Sequence, residues 1–591
     1  MQPQRLVVPL FQRPYVWNEE DQWQPLWDDV RTVAERLIAN QPTRPHFLGA
    51  IVLDQLRKPT GHVESRLVID GQQRLTTIQI LLEAFADLTL ELKQEKQHKA
   101  LLKLTRNDDP LSVDPDEVFK VWPTNVDRDV YRSVMLDGSP AQVRERLGVR
   151  ANKKRVGQPV PDAYFYFHEV IGAWLAPASD GFDARLGALI KAVKDYLRLV
   201  VIDLGPEDDA QLIFETLNAR GTPLLPMDLV KNFLFHRAEQ EKDDLQQLFD
   251  RWWKPFDADA KYWREKVGRG HAKRPRMDLY LQHFLALQLR DEVKVANMYH
   301  AFLGMVESKK ELRAAQHMER LRYYASIFQA FDNESAEGPA SRFFQRLRVM
   351  DMTTAHPFLM ELVARYGKDS PITNQVLQDL ESYLVRRLVC QLSTRGYGRF
   401  FLDALPLFEL PREQLVGAVR ERLLSSDAES TRWPTDTELR DAWLTLPFAS
   451  LGRGRVEMVM LALEARVTSG KTEKVKFDGK LTIEHLMPEK WKKYWPLPES
   501  DDPDEAEGLR NRIIQTVGNL TLLTKKLNSS VSNGPWEKKR EGVLSHSILK
   551  LNLRLKDAAT WDEASIRARG TELFDHAKAI WPRPAQASNK S

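Results

Sequence analysis

The segment Thr482-Ile483-Glu484-His485-Leu486-Met487-Pro488 places an acid–histidine pair just ahead of a proline. Downstream, Gly518-Asn519-Leu520-Thr521-Leu522-Leu523 and then Asn528 add two asparagines nine positions apart. Hydrolysis of a phosphodiester needs an activated water, a cation to stabilise crowded negative charge, and protonation of the leaving oxygen. A histidine beside a carboxylate can supply the first two. Neighbouring side chains in an extended segment point to opposite faces. Glu484 and His485 therefore converge only at a strand end or bend, which Pro488 favours. Asn528 offers a neutral oxygen suited to Mg2+ or Mn2+. Asn519, in a turn-like Gly-Asn pair, suits a supporting role that holds the histidine loop in shape. Taken singly, a histidine before a proline is more often structural; the combination points to a metal-assisted nuclease.

The rest of the chain bounds that reading. At 591 residues it is too long for one core, and about 150 residues per domain predicts roughly three or four units. With 29% charged residues and a net charge of +3, any nucleic-acid surface must be a local patch. The single cysteine, Cys390, excludes an intramolecular disulfide and any multi-cysteine zinc site. In the apolar run Leu388-Val389-Cys390 it reads as a small buried hydrophobe rather than a nucleophile. The N-terminus lacks a signal-peptide pattern, and no apolar run approaches the ~20 residues that span a bilayer. The expectation is a cytoplasmic protein without membrane contact.

Along the chain, the fold class expected is α+β, predominantly helical. Residues 1–236 mix strands and helices: Phe47–Leu53, Arg66–Ile69 and Leu197–Leu204 are β-rich runs bounded by turn formers. Leu75, Ile78, Leu81, Leu82, Phe85 and Leu88 recur at helical spacing from an N-terminus at Asp70-Gly71. Asn152–Pro159 and the positive run Arg264–Arg276 read as loops. Residues 237–375 read as a helical middle, with helices over Met277–Leu289 and Met318–Phe331. Residues 376–591 read as a helical domain that begins with Gln378–Leu392, with a charged hinge at Lys471–Lys480 before the motif region.

A second constellation lies near the other end. Val68-Ile69-Asp70-Gly71-Gln72-Gln73-Arg74 places an Asp-Gly turn between a strand and a helix, and a helix N-terminus attracts phosphate. Arg74 adds a forked cation, and Gln72 and Gln73 add neutral donors. From these residues alone a helix cap after a buried strand is the plainer reading. The chain has no GxxxxGK[ST] loop, so it is not a P-loop NTPase.

Glu484-His485-x-x-Pro488, Gly518-Asn519-Leu520 and Asn528 resemble the HNH (ββα-metal) nuclease core of GmrSD-type restriction enzymes. The Asn519-to-Asn528 spacing is also similar to the HNH domain of RNA-guided CRISPR nucleases. The resemblance implies His485 as general base, Glu484 and Asn528 as metal ligands, Asn519 as the residue fixing the loop, and a core at about 475–545. Glu484 stands where Asp is frequent, and Asn528 where His is frequent, which suits Mg2+ better than a transition metal. Trp536-Glu537-Lys538-Lys539-Arg540 resembles the lysine-bearing end of this domain, with Lys538 the candidate phosphate contact or else part of a solvated helix end. Lys490-Trp491-Lys492-Lys493-Tyr494-Trp495 and Lys525-Lys526 interleave bases with aromatics, as backbone-tracking surfaces with stacking platforms do.

At the N-terminal end, Phe11-Gln12-Arg13-Pro14-Tyr15-Val16-Trp17, Asp70–Arg74 and Phe214-Glu215-Thr216-Leu217-Asn218-Ala219-Arg220-Gly221, then Asp228 and Lys231-Asn232, resemble the ParB-like N-terminal domain of the same enzymes. That resemblance implies a nucleoside triphosphate site at Asp70, Gly71, Gln72, Gln73 and Arg74, with Arg13, Asn218, Arg220 and Lys231 as additions. Asp70 or Asp228 would help hold Mg2+ or position water. Gln12, Arg13, Pro14, Tyr15 and Trp17 would form a wall that senses modified DNA, phosphorothioate included; plain core residues are the alternative for Tyr15 and Trp17. The FQRPYVW run begins only ten residues after Met1, whereas the family commonly has a longer leader, so either a leader helix lies outside this sequence or the chain lacks one. The function implied is a modification-dependent, metal-dependent DNA endonuclease or nickase of anti-phage defence, regulated by nucleoside triphosphate and compatible with a homo-oligomer. Two readings stand beside it: a nucleotide-gated DNA-binding regulator with an inactive HNH scaffold, and an RNA-directed nuclease.

Overall fold

In the computed structural model the described residues run from 4 to 585, apart from 11, 57–62, 108–113, 151–154, 177–180, 206–224, 269–272, 334–336, 427, 469–480, 500 and 532. They form two compact units. One comprises Met1–Asp278 with Val306–Glu319; the other comprises Leu279–Met305 with Arg320–Ser591. The helical stretch 237–375 is thus shared between the two. The architecture is α+β and mostly helical.

The first unit is built on a five-stranded mixed sheet: β1 (Gln4–Val7), β2 (His46–Leu56), β3 (Glu64–Asp70), β4 (Val121–Trp122) and β5 (Leu197–Asp203), in the order β4-β1-β3-β2-β5. β1 runs parallel to β3 and β4, β2 antiparallel to β3 and parallel to β5. One face buries Val8, Ile51, Leu53, Val68, Leu75 and Val121. The helix Gln72–Glu91 follows β3 directly, as the periodicity predicts. Nearly all of its positions from Gln73 to Thr89 are buried, because apolar and small residues occupy every face and a helix apolar all round belongs inside. It packs with the helices Gln24–Ile38 and Pro159–Leu175 around Trp27, Phe85, Tyr131, Tyr164 and Phe167. Two carboxylates enter this core with partners: Glu83 meets Arg106 and Thr105, and Asp87 accepts a 2.7 Å bond from Tyr164 Oη. The positive run at Arg264–Arg276 includes a small ribbon, β6 (Lys266–Val267) paired with β7 (Arg274–Pro275), rather than a plain loop.

Among its described residues the second unit is helical apart from one ribbon. Its central helix, Pro371–Val389, buries two arginines. Arg387 donates to the carbonyls of Glu429, Arg432, Ser393 and Ser430 and to Tyr397 Oη. Neutral oxygens at all sides of the guanidinium compensate its burial without a carboxylate. Arg386 reaches the Trp581 and Pro434 carbonyls and Asp436. Cys390 is half-buried, and burial pushes its thiol up to about 11, consistent with an inert packing role. Near the C-terminus β8 (Leu481–His485) pairs antiparallel with β9 (Leu520–Thr524), and the helix Lys525–Val531 follows immediately. Among the described residues no helix is long and apolar enough to cross a membrane.

Arg387→Met orphans several buried carbonyls at once. It is expected to destabilise the second unit by about 3 kcal/mol, since each unsatisfied buried group costs about 1–3 kcal/mol. Thermal unfolding reads this as a fall of several degrees, and an unchanged midpoint would contradict it.

Candidate active site

The strand β8 ends at its histidine. Glu484 stands opposite Thr521 and His485 opposite Leu520, after which Leu486 and Met487 turn into the core at 1% exposure. What shapes that turn is Asn519, which is fully buried. Its Oδ1 accepts from Met487 N–H at 2.8 Å and from Trp561 Nε1 at 3.0 Å. Its Nδ2 donates to the Met487 carbonyl at 2.8 Å and the Ile514 carbonyl at 2.9 Å. The Asn519 carbonyl also takes Leu486 N–H at 2.8 Å. Every hydrogen-bonding site of the amide is engaged, so the segment after His485 has one geometry.

The asparagine is itself anchored. Arg569, on the helix Glu563–Ile580, donates through Nη1 to the carbonyls of Gly518 and Leu520, at 2.7 and 2.8 Å. Gly518 lies so close to that helix that a Cβ would fall 2.1 Å from the Ile566 carbonyl oxygen. Only glycine fits there.

His485 and Glu484 diverge as strand neighbours. The half-buried His485 ring lies near Glu489 and Gln515, which are joined by a 2.9 Å bond. Its Nε2 is buried with no hydrogen-bond partner. Burial lowers the imidazole pKa more than Glu489, Gln515 and Glu484 raise it, so the ring is neutral at neutral pH, the form a general base requires.

Glu484 turns the other way, to Lys539 at 2.6 Å. Asn528, on the helix Lys525–Val531, donates Nδ2 to Thr482 Oγ1 at 2.9 Å and to the Ile483 carbonyl at 3.2 Å. With its nitrogen committed, Oδ1 is the atom left for a ligand. Thr482 and Glu484 share a strand face, so Asn528 lies beside the face that carries the carboxylate. One carboxylate and one amide oxygen fit a hard cation such as Mg2+, which keeps several waters and accepts substrate phosphate oxygens. Among the described residues no group of three or more His, Cys, Asp or Glu is arranged to hold a metal.

Lys538 is exposed, as a phosphate contact or a solvated helix end would be, whereas the lysine that reaches the motif is Lys539, whose side chain is 1% exposed. Helical spacing carries that signal: residues 536, 539 and 543 share one face, and Trp536, Lys539 and Val543 are the buried positions of the helix Trp536–His546. The aromatic run is also mostly core. Trp491 and Trp495 are buried, and Lys492 pairs with Glu507 at 2.6 Å. Of these aromatics only Tyr494, 46% exposed with Lys493 over its ring, remains a stacking surface.

In the first unit Gly71 links β3 to the helix Gln72–Glu91 with φ +92°, and a Cβ there would meet Ile51 Cγ2 at 2.6 Å. The segment Gln12–Val16 is clasped to this turn. Gln12 Nε2 donates to the carbonyls of Val68 and Ile69. Gln73 accepts from Val16 N–H at 2.9 Å and donates to the Pro14 carbonyl at 3.1 Å. Tyr15 is buried, its hydroxyl bonded to Thr77 Oγ1 and Trp23 Nε1 and its N–H to Asp127. Gln12, Gln73 and Tyr15 therefore hold the turn together and do not form an open wall. Trp17 packs half-buried against the core and Pro14 is half-buried. Arg74 lies over Gly49 and donates to the Ala50 carbonyl at 2.5 Å. Asp70 and Gln72 are half-buried at the same turn.

Burial lowers the Arg13 pKa, against the charges of Asp228 and Asp70, which raise it, and with that of Arg264, which lowers it. Asp228 pairs with Arg264 at 3.2 Å. Burial together with Asp228 pushes the Asp278 carboxyl up to about 7. Sequence reading did not single out Arg264 or Asp278, because they lie beyond the expected domain edge at 236. Lys231 is fully enclosed, 3.0 Å from Asp257 and over the rings of Phe249 and Trp253. In this arrangement it is an internal counter-ion and does not face a nucleotide. Asn218 and Arg220 lie outside the described residues.

Asn519→Ala leaves Met487 N–H, Trp561 Nε1 and two carbonyls unpartnered. It is expected to cost about 3 kcal/mol, read as a lowered thermal midpoint with increased hydrogen exchange at the Leu486 and Met487 amides. Wild-type protection there would contradict the anchoring role.

Comparison with known proteins agrees with both ends of the chain. Residues 1–235 match the model of the GmrSD restriction endonuclease N-terminal domain. Residues 433–576 match the model of the GmrSD restriction endonuclease C-terminal domain. A search of curated proteins returned no match. With both characteristic domains present in order, the chain belongs to the GmrSD family of restriction endonucleases, nucleases of restriction defence that act on DNA.

Proposed function

We infer that the ribbon β8–β9 and the helix Lys525–Val531 form an HNH-type phosphodiesterase site, and that the first unit is a ParB-like nucleotide-binding module that gates it on modified DNA. The observation that supports the nuclease reading best is the state of His485. It is a half-buried, neutral imidazole whose buried Nε2 has no hydrogen-bond partner, next to Glu484 in sequence but on the opposite strand face, and on a loop that Asn519 holds rigid.

In this reading His485 takes the proton from the attacking water as its oxygen bonds to phosphorus, while the bond from phosphorus to the leaving sugar oxygen breaks and that oxygen takes a proton from solvent water. Glu484 and Asn528 Oδ1 would hold Mg2+ or Mn2+. A divalent ion bound there supplies positive charge to the phosphate oxygens in the crowded transition state. Asn519 makes no contact with substrate; it fixes the loop that aims the imidazole. In the first unit the turn Asp70–Arg74, with Arg13, Asp228, Arg264 and Asp278 nearby, offers a helix N-terminus, cations and carboxylates. These are the groups a triphosphate and its Mg2+ require.

His485→Ala is expected to reduce Mg2+-dependent plasmid cleavage by about 10^2–10^4-fold while leaving nucleotide hydrolysis intact. Persistent cleavage would sink the assignment. Asp70→Ala or Arg74→Ala is expected to lose nucleotide turnover instead, and unchanged turnover would refute the nucleotide site. The pH profile supplies a separate check. Because the imidazole pKa is lowered, the base form persists below the ordinary histidine value of about 6.5. Cleavage is expected to hold down to that pH and fall only as pH drops further. A loss already complete near neutrality would contradict the buried-base reading.

A further inference from the structure

Lys539 has no part in the chemistry above, yet it contacts the Glu484-His485 pair directly. Its Nζ lies 2.6 Å from Glu484 Oε1 and 2.6 Å from the His485 carbonyl oxygen. The lysine side chain is 1% exposed and that of Glu484 14%. Water screens such a pair poorly, and its charges act on each other strongly. The lysine is also rigidly placed. Trp536, at the start of its helix, stacks on Trp561 at 4.9 Å. Gly542 on the same helix packs so closely that a Cβ would meet Val531 Cγ1 at 2.8 Å, which ties it to the helix that bears Asn528.

The charge count at these groups is decisive. Glu484 contributes −1, Lys539 contributes +1, and Asn528 is neutral. The two oxygen donors and their neighbour thus present no net negative charge to a divalent ion. Glu484 is already satisfied by a cation of its own.

The geometry points to Lys539 as a resident cation that competes with the divalent metal for Glu484, so that the metal is held firmly only once a DNA phosphate brings negative charge into the site. This rests on the reading of Glu484 and Asn528 as metal ligands. Lys539 is a positioning residue: it keeps the carboxylate aimed and paired before metal arrives, and it makes metal loading depend on substrate.

The test is Mn2+ titration of the full chain without DNA, followed by electron paramagnetic resonance, on wild type, Lys539→Gln, Lys539→Met and Glu484→Gln. Lys539→Gln keeps a donor for Glu484 and guards against misfolding of the apolar variant. Removal of the lysine charge is expected to tighten Mn2+ binding by about tenfold or more, and Glu484→Gln to abolish the same site. Unchanged or weaker binding in the lysine variants, with Glu484→Gln still abolishing it, would overturn the competition. Binding indifferent to Glu484→Gln would overturn the metal-ligand reading itself, a result distinct from failure of the lysine's role.

Discussion

The side-chain amide of Asn519 is the interaction on which the C-terminal site depends. It closes four hydrogen bonds to three segments distant in sequence: Met487 after the histidine, Ile514 before the second strand, and Trp561 ahead of the last long helix. A buried amide is tolerated only when its donors and acceptors are all matched. The same requirement that makes Asn519 costly to misplace makes the loop after His485 single-valued. Arg569 and Gly518 extend the constraint to the helix Glu563–Ile580, so the position of His485 is set by buried residues well apart from it in sequence.

The first unit uses the same device with different chemistry. Gln73 and Gln12 bind backbone groups of β3 and of the segment Pro14–Val16, and Tyr15 closes the clasp through Thr77, Trp23 and Asp127. These bonds fix the N-terminal segment against the start of the helix Gln72–Glu91, where the Arg13 charge is felt by Asp70 and Asp228. Both ends of the chain therefore place a few reactive or charged groups on turns whose shape is over-determined by buried polar contacts. Pre-organisation of this kind is what a catalytic or binding constellation needs.

How much of this was legible in the sequence follows from which interactions are local. β2, β3, β5 and the helix Gln72–Glu91 were readable because period-2 and helical patterns and the Asp-Gly turn are local signals. The motif was legible in another way: Glu484-His485 and Asn519 are separated by an insert that carries the helix Pro503–Ile513, and it was their resemblance to a known nuclease core that joined them. Gln12, Gln73 and Tyr15 look like ligand-facing polar and aromatic residues, and only their long-range partners show them to be fasteners. Lys231 was misplaced for the same reason, since Asp257 and the Phe249 and Trp253 rings that enclose it lie in the next helices. Lys539 follows from helical spacing, since it shares a face with Trp536 and Val543, whereas adjacency in sequence alone does not separate it from Lys538. Arg264 and Asp278 could not be connected to Asp228 without tertiary contacts.

The central claim is that the His485 site cuts DNA only as the N-terminal unit permits. The most direct measurement is the cleavage rate of one plasmid, prepared with and without modified DNA, by the wild-type chain in Mg2+ with and without each nucleoside triphosphate. The account predicts that modified plasmid is cut faster and that nucleotide changes that rate. Equal cutting of both plasmids, indifferent to nucleotide, would contradict it.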